Sequence, residues 1–240
     1  MSTRPATERV LGIVGGIGPE STIDYYHSLV ATWRRRRPDG SYPRVIIDSV
    51  EAGRVIRWLG EGEFAAVGRE LGAALGELAA AGCGRALIAS NATHLAFEHI
   101  DPTPPMPMIH IVDAARDAAV AGGHRRLGLI GTRFVMQSRL YPDWFEPAGL
   151  TIVIPTPDEQ EVVHGIYMGE LLLGEIRDDS RERLIAVIAT MRDRDGIEGA
   201  ILGGTELALT LTEPAYAGVP ILNTAQIHVE AAVDWLLGGG

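Results

Sequence analysis

The chain has 240 residues, with 21 basic and 31 acidic side chains and a formal net charge of −10. This acidic balance argues against a surface for nucleic acid or an anionic membrane, although a local cleft could still bind an anion. Every basic side chain is an arginine. Because an internal aldimine with pyridoxal phosphate requires a lysine amine, that cofactor is excluded.

The N-terminal segment and the cysteine content predict a cytoplasmic protein without a membrane span. Residues 1–5 lack the apolar core of a secretion signal, and no apolar run approaches the roughly 18 residues that a transmembrane helix needs. The chain has a single cysteine, Cys83, so it cannot form an internal disulfide. We expect Cys83 to be a small buried residue rather than a nucleophile.

Strands and helices are predicted to alternate along the chain, which indicates parallel sheets covered by helices on both faces. We expect strands at residues 9–15, 45–49, 85–89, 108–112, 127–131, 152–155, 200–203 and 220–223. We expect helices at residues 19–36, 64–81, 91–99, 113–122, 160–173, 181–192 and 225–237, with a proline-rich linker at 102–107. Ligands of such sheets bind at the carboxyl ends of the strands, where several small polar residues lie.

Three short segments recur in the same order at nearly the same spacing. The segment LGIVG at 11–15 resembles LGLIG at 127–131, ALIASN at 86–91 resembles AILGGT at 200–205, and PMIH at 107–110 resembles PILN at 220–223. We infer a duplicated α/β unit. Two such units would face one cleft from opposite sides.

The turn after the first strand is rich in glycine, with the sequence GGIGP at 15–19. Glycines allow backbone N–H groups to approach a ligand, and a helix N-terminus attracts anions. We interpret this turn as a cradle for a carboxylate or phosphate, with Gly16 and Gly18 as binding residues. The spacing differs from G-x-G-x-x-G, which disfavours a dinucleotide, and a purely structural turn is the alternative.

The polar segment that begins at Ser90 follows a predicted buried strand. A helix that starts here would place Ser90 and His94 on one face. In the functional interpretation, Asn91 and Thr93 bind a substrate carboxylate and Ser90 lies near the reacting carbon. In the alternative, Ser90 and Asn91 simply cap the helix.

The segment Gly204-Thr205-Glu206 occupies the matching place in the second unit. Glu206 is either an acid/base or a charge that complements a helix N-terminus, and Thr205 either caps a helix or binds an anion. His228 lies one turn into the last helix, where a hydrogen-bonded, partly buried histidine is the default. No histidine or cysteine spacing fits a zinc site, so we predict no metal.

Together these motifs resemble the aspartate/glutamate racemase superfamily, and within it the aspartate racemases most. This cofactor-independent group also includes hydantoin racemases, arylmalonate decarboxylases and maleate isomerases. The resemblance rests on GGIGP at 15–19 with Tyr25 and Tyr26, IASNATH at 88–94, QEVVH at 160–164, LGGTEL at 202–207, and PILNT at 220–224 with His228.

The resemblance implies two pseudo-symmetric parallel-sheet α/β domains with the active site in the cleft between them. The first domain would comprise residues 1–104 and 218–240, and the second residues 105–217. It also implies a small carboxylate or amino-acid substrate, no cofactor, and a homodimer. In the family, one cysteine from each domain acts, so that one thiolate removes the α-proton and the opposite thiol returns one.

This chain departs from the family at both cysteines, because Ser90 stands at the first position and Gly204 at the second. A serine hydroxyl needs an adjacent base to react, and glycine has no side chain, so ordinary two-thiol racemization cannot run. We expect Gly204 to leave space for a larger substrate or a water molecule. The expected catalytic positions are Ser90, Gly204, His94 and Glu206, and the expected binding residues are Gly16, Gly18, Asn91, Ala92, Thr93, Thr132, Thr205 and His228.

Three functions stay open from the sequence. The first is a modified isomerase or a related decarboxylase that transfers a proton on one side of the carbon next to a carboxylate. The second is a catalytically silent carboxylate binder. The third is a hydrolase or cyclase with Ser90 as nucleophile, although no G-x-S-x-G motif supports it.

Overall fold

The computed structural model describes residues 9–100 and 104–239, which form two sheets. The first sheet has the order β2-β1-β3, and all its strands are parallel. The second has the order β5-β4-β6-β8-β7, in which only β7 is antiparallel. The strands are β1 (Val10–Gly15), β2 (Arg44–Ser49), β3 (Arg85–Ile88), β4 (Arg126–Gly131), β5 (Thr151–Val153), β6 (Gly199–Gly203), β7 (Ala215–Tyr216) and β8 (Val219–Asn223).

Helices connect the strands and cover the sheets. They are α1 (Pro19–Arg36), α2 (Ala52–Glu61), α3 (Phe64–Ala80), α4 (Ile111–Ala121), α5 (Arg133–Met136), α6 (Pro142–Phe145), α7 (Pro157–Gly169), α8 (Asp178–Asp195), α9 (Leu207–Thr210) and α10 (Thr224–Leu236). Three 3₁₀ helices span Ala92–His99, Glu146–Ala148 and Leu171–Leu173. Within 9–100 and 104–239, no helix combines the length and apolar character that crossing a bilayer requires.

Strand β1 shows why the central strands are apolar throughout. All six of its residues are buried, and successive side chains point to opposite faces of the sheet. Val10 and Val14 pack in a cluster with α3, whereas Leu11 and Ile13 pack in a cluster with α1 and α10. A strand covered on both faces has no polar side, so its sequence is a continuous apolar run. Cys83 is buried in the α3 cluster, as predicted.

The segment predicted as a strand at 108–112 differs in the structure. Only Met108 pairs with the first sheet, through a parallel bridge to Ala86, and helix α4 begins at Ile111. The buried residues of this helix are Ile111, Val112, Ala115 and Ala119, which follow the period of a helix. A short apolar run does not distinguish a strand from the first turn of a buried helix.

Other boundaries also differ. The predicted helix at 160–173 begins earlier, at Pro157, because Thr156 and Glu159 form a capping box, and it ends at Gly169 before a 3₁₀ turn. Helices α2, α5, α6 and α9 and the short strand β7 were not predicted. Residues 1–5 and residues 102 and 103 of the predicted linker lie outside the described residues.

The division into two domains stays a prediction, and the sheet contacts bear on it. Strand β8, which we expected in the first domain, pairs with β6 in the second sheet, whereas Met108, expected in the second, bridges to the first. Helix α10 packs against both α1 and α4. The final strand therefore lies in the second sheet, whereas helix α10 contacts helices of both units.

Candidate active site

The loop after β1 and the ends of β3, β4 and β6 meet at one small cavity of about 40 Å³. The lining includes five of the predicted site residues, namely Gly18, Ser90, Ala92, Thr132 and Glu206. The remaining lining residues are Ile17, Ile56, Leu59, Phe134, Tyr167, Met168 and Leu172. The strand ends therefore converge as a parallel α/β architecture predicts.

Ser90 lies directly after β3 and is buried at the edge of the cavity. Its backbone N–H donates to the carbonyl of Ile88 at 2.8 Å. Among the described residues, its hydroxyl has no hydrogen-bond partner. Because no base contacts this hydroxyl, the serine is not activated as a nucleophile in this arrangement.

Glu206 is the carboxylate of the cavity, and it is 2 % exposed. Its Oε2 accepts hydrogen bonds from the Tyr167 hydroxyl and, at 3.0 Å, from the Thr205 hydroxyl. Two hydroxyl donors on one oxygen compensate for much of the hydration that a buried carboxylate loses. Glu206 is thereby held in one orientation beside the cavity.

The other oxygen of Glu206, Oε1, lies against Gly18. A Cβ atom on residue 18 would overlap Oε1 and would lie 2.9 Å from Cδ. Gly18 is the residue before helix α1, so the Glu206 carboxyl group lies at the positive end of that helix. The predicted anion cradle thus contacts a carboxyl group of the chain itself. The N–H of Gly16 is also engaged, because it donates to the Thr22 hydroxyl at 2.8 Å.

Tyr167 is a cavity residue that the sequence analysis missed. It lies on α7, and its ring packs against Gly204 so closely that a Cβ atom on residue 204 would overlap Cε2 and lie 2.9 Å from Cζ. The expectation that Gly204 leaves space for substrate or water was therefore wrong, because an aromatic ring fills that space. Burial and the neighbouring Glu206 carboxylate raise the pKa of the Tyr167 hydroxyl well above 10.

Thr132 follows β4 and contributes a free hydroxyl to the cavity wall. It is 5 % exposed, and its Oγ1 has no hydrogen-bond partner in the described structure. Buried hydroxyls are normally paired, so this atom is available to a polar group of a ligand. Thr205, by contrast, is engaged with Glu206.

Asn91 and Thr93 are buried beside the cavity without lining it. The amide of Asn91 donates to the Thr224 hydroxyl at 3.1 Å and accepts from the Tyr141 hydroxyl at 2.6 Å. The hydroxyl of Thr93 donates to the carbonyl of Ser90 at 3.4 Å. The Asn91 side chain therefore joins the loop after β3 to two distant residues, the Thr93 side chain supports that loop locally, and neither lines the cavity.

The histidines predicted for the site also lie outside the cavity lining. His94 Nδ1 donates to the backbone carbonyl of Ser90 at 2.8 Å, so it supports the main chain and does not contact the serine hydroxyl. His228 donates from Nε2 to the carbonyl of Ile109 at 2.8 Å, and its Nδ1 accepts from the Tyr25 hydroxyl. Burial lowers the pKa of His94 to about 4 and that of His228 to about 3, which keeps both rings neutral.

The cavity has an unusual electrostatic character for an anion site. In the part of the chain that the structure describes, Glu206 is the only charged side chain in the lining, and no arginine or histidine joins it. A ligand carboxylate would therefore bind to hydroxyl and backbone N–H groups. Most of the remaining wall is aliphatic or aromatic, which suits an uncharged substituent.

The sequence carries one signal for Tyr167, which is the glycine at residue 204. A glycine at a position where a side chain is expected indicates that another residue fills the space. The contact joins residues on separate elements, however, so only the tertiary structure identifies which side chain it is.

Known structures and a family model match this chain over most of its length. A candidate Asp/Glu racemase from Yersinia pestis shares 29% identity over 95% of this chain and 99% of its own, with a TM-score of 0.85. An aspartate racemase homologue from Pyrococcus horikoshii OT3 shares 29% identity over 96% and 99%, with a TM-score of 0.80. An aspartate racemase from Picrophilus torridus has the same fold at 18% identity, over 95% of this chain and 94% of its own, with a TM-score of 0.77.

The family model described as Asp/Glu/Hydantoin racemase matches residues 14–232. The match includes every cavity residue and, except for the first four residues of β1, both parallel-dominated sheets, and the α/β fold is the two-domain fold of these neighbours. The chain therefore belongs to the Asp/Glu/hydantoin racemase family.

Proposed function

We propose that this chain is a cofactor-independent isomerase that transfers a proton at the carbon next to the carboxylate of a small amino acid or dicarboxylate, without cysteine. Membership of the racemase family supports the isomerase class. The observation that carries the proposal is that Ser90, Thr132 and the hydrogen-bonded pair Tyr167 and Glu206 line one cavity at the strand ends.

The substrate carboxylate would bind on the Thr132 side of the cavity. The Thr132 hydroxyl has no partner within the described residues, and Ala92, which also lines the cavity, begins a 3₁₀ helix whose first N–H groups have no partner inside the helix. Such donors stabilise the negative charge that develops on the carboxylate as the neighbouring carbon loses its proton. Because the lining has no cation, an amino acid with an uncharged side chain fits better than a dicarboxylate.

The two sides of the cavity offer unequal proton chemistry. Glu206 can accept or return a proton, whereas the Ser90 hydroxyl has no base beside it. Proton transfer on one side only favours isomerization or decarboxylation over the symmetric racemization of the two-cysteine enzymes. This inequality is a direct consequence of losing both thiols.

Proton NMR in D2O tests the proposal. The protein would be incubated with D- and L-amino acids, malonates and unsaturated diacids, and we expect the α-proton signal of a substrate to disappear, with a Glu206→Gln variant losing this exchange. If no compound exchanges or reacts, the proposal is wrong, and line broadening without exchange would identify a silent carboxylate binder. A covalent adduct of Ser90 with a serine-directed reagent would instead favour the hydrolase or cyclase.

A further inference from the structure

Gly204 and Tyr167 are complementary in shape. Residue 204 has no side chain, and the Tyr167 ring fills the volume in which one would begin, with its hydroxyl 3.0 Å from the position of a Cβ atom. The hydroxyl therefore lies where the second or third atom of a side chain on residue 204 would lie. Tyr167 also lines the cavity, so its polar end is placed at the same wall.

The Tyr167 hydroxyl differs from the other hydroxyls of this wall in having a carboxylate partner. Ser90, Thr132 and Tyr167 are the three hydroxyl residues in the described lining, and only Tyr167 contacts Glu206. A hydroxyl can pass protons only if a second group accepts or supplies them. Tyr167 meets this condition, and Ser90 and Thr132 do not.

We propose that Tyr167 replaces the missing side chain of residue 204 and carries the proton between the substrate carbon and Glu206. The inference rests on the proposed function. When the C–H bond breaks, its proton passes to the Tyr167 oxygen while the proton of Tyr167 passes to Glu206 Oε2. The electron pair stays on the substrate carbon and spreads into its carboxylate, and Glu206 becomes a neutral carboxylic acid. Return of the proton reverses both transfers.

The simultaneous transfer of two protons agrees with the electrostatics of Tyr167 and Glu206. Burial and the charge of Glu206 raise the pKa of Tyr167 well above 10, so a free tyrosinate beside the carboxylate is strongly disfavoured. The relay never forms one, because one proton leaves the hydroxyl as another arrives. Thr205 donates to the same Glu206 oxygen and keeps it in position to receive the proton.

A Tyr167→Phe variant tests the relay, because it removes the hydroxyl and keeps the ring that fills the space beside Gly204. We expect the rate of α-proton exchange in D2O to fall by about 100-fold or more, the lower range for loss of a general acid or base. Substrate binding, measured by line broadening, should persist. The control is Tyr42→Phe, which removes an exposed hydroxyl that contacts Arg34 away from the cavity, and it should exchange like the unchanged protein.

A rescue variant separates a proton carrier from a residue that only supports the fold. In Tyr167→Ala combined with Gly204→Cys, the thiol enters the space that the ring has left, and we expect exchange to recover above that of Tyr167→Ala alone. If the unchanged protein exchanges and Tyr167→Phe exchanges equally fast, the relay is wrong while the proposed function stands. If the unchanged protein exchanges with no compound, the proposed function fails and the relay fails with it.

Discussion

The aromatic ring of Tyr167 and the bare Cα of Gly204 form a matched pair across α7 and the loop after β6. A side chain on residue 204 would have to displace the ring, because its Cβ atom would overlap Cε2 of Tyr167. The absence of a side chain at residue 204 is therefore built into the packing of the site.

This packing predicts the stability of Gly204→Ala. The added methyl group must displace the buried Tyr167 ring, and overpacking of this kind costs about 1–3 kcal/mol. Urea unfolding at constant pH measures the loss. The matched control is Gly165→Ala on α7, where a Cβ atom would meet nothing within 4 Å, so we expect no loss and a slight gain in stability. Equal destabilisation of the two variants would contradict the packing argument.

The same contact determines how cysteines could be restored. We expect the double variant Ser90→Cys with Gly204→Cys to racemize no amino acid, because the ring blocks the second thiol. In the triple variant that also carries Tyr167→Ala, the ring is absent, and we expect the protein to fold with both thiols facing the cavity. Polarimetry with aspartate, glutamate and uncharged amino acids would measure racemization, and activity in the double variant would show that the ring moves aside easily.

The contact between Gly18 and Glu206 predicts that a side chain on residue 18 lowers activity. Gly18→Ala would place a methyl group on Oε1 of Glu206 and push the carboxyl group out of its place. We expect exchange to fall by about 10-fold or more, since displacement of a catalytic group by about 1 Å can cost 100-fold. Gly76→Ala is the control, because residue 76 lies on α3 with open space around it. Full exchange by Gly18→Ala would show that Glu206 is not held by this contact.

The sequence predicted the strands of the core and the edge at which the cavity lies because both depend on local patterns. A parallel strand buried on both faces is an apolar run, and the end of such a run marks the edge where ligands bind. Ser90, Thr132 and Glu206 follow β3, β4 and β6 in this way, and the structure places all three at one cavity. The start of α4 was misread as a strand because Met108–Val112 is too short a run to show its period.

The contacts that give the site its chemistry could not be predicted from local patterns. Tyr167 reaches Gly204 and Glu206 from a helix of the same unit, and Gly18 reaches Glu206 from the other sheet. Asn91, a suitable cap or carboxylate ligand by its sequence, is instead paired with Tyr141 and Thr224. Each partner is distant along the chain, so the choice among several plausible roles depends on the tertiary packing.

Asn91 is therefore expected to act on stability. Its amide joins the loop after β3 to Tyr141 and to Thr224, which in turn donates to the carbonyl of Leu202 at 2.7 Å. Asn91→Ala would remove the acceptor of the buried Tyr141 hydroxyl and one of the two partners of Thr224, and an unsatisfied buried group costs about 1–3 kcal/mol. Asn223→Ala removes only the cap of α10, a loss of about 1 kcal/mol, and serves as the reference in urea unfolding. A smaller loss for Asn91→Ala would contradict this role.

The buried histidines predict how stability depends on pH. Burial lowers the folded-state pKa of His94 to about 4 and of His228 to about 3, below the ordinary histidine value of 6.5. The unfolded chain therefore takes up protons at a higher pH than the folded chain does. The contribution of each histidine is fully present above pH 6.5 and is lost as the pH falls toward the folded-state pKa.

Between pH 7 and pH 5, we expect each of these two histidines to lower the free energy of unfolding by about 1–2 kcal/mol. Urea unfolding at several pH values measures the slope, and His228→Gln should make it shallower because glutamine does not titrate. The control is His27→Gln, which changes an exposed histidine on α1. If the unchanged protein and both variants have the same slope, His228 is protonated as readily in the folded chain as in the unfolded chain. The two hydrogen bonds of His228 and its complete burial argue against that outcome.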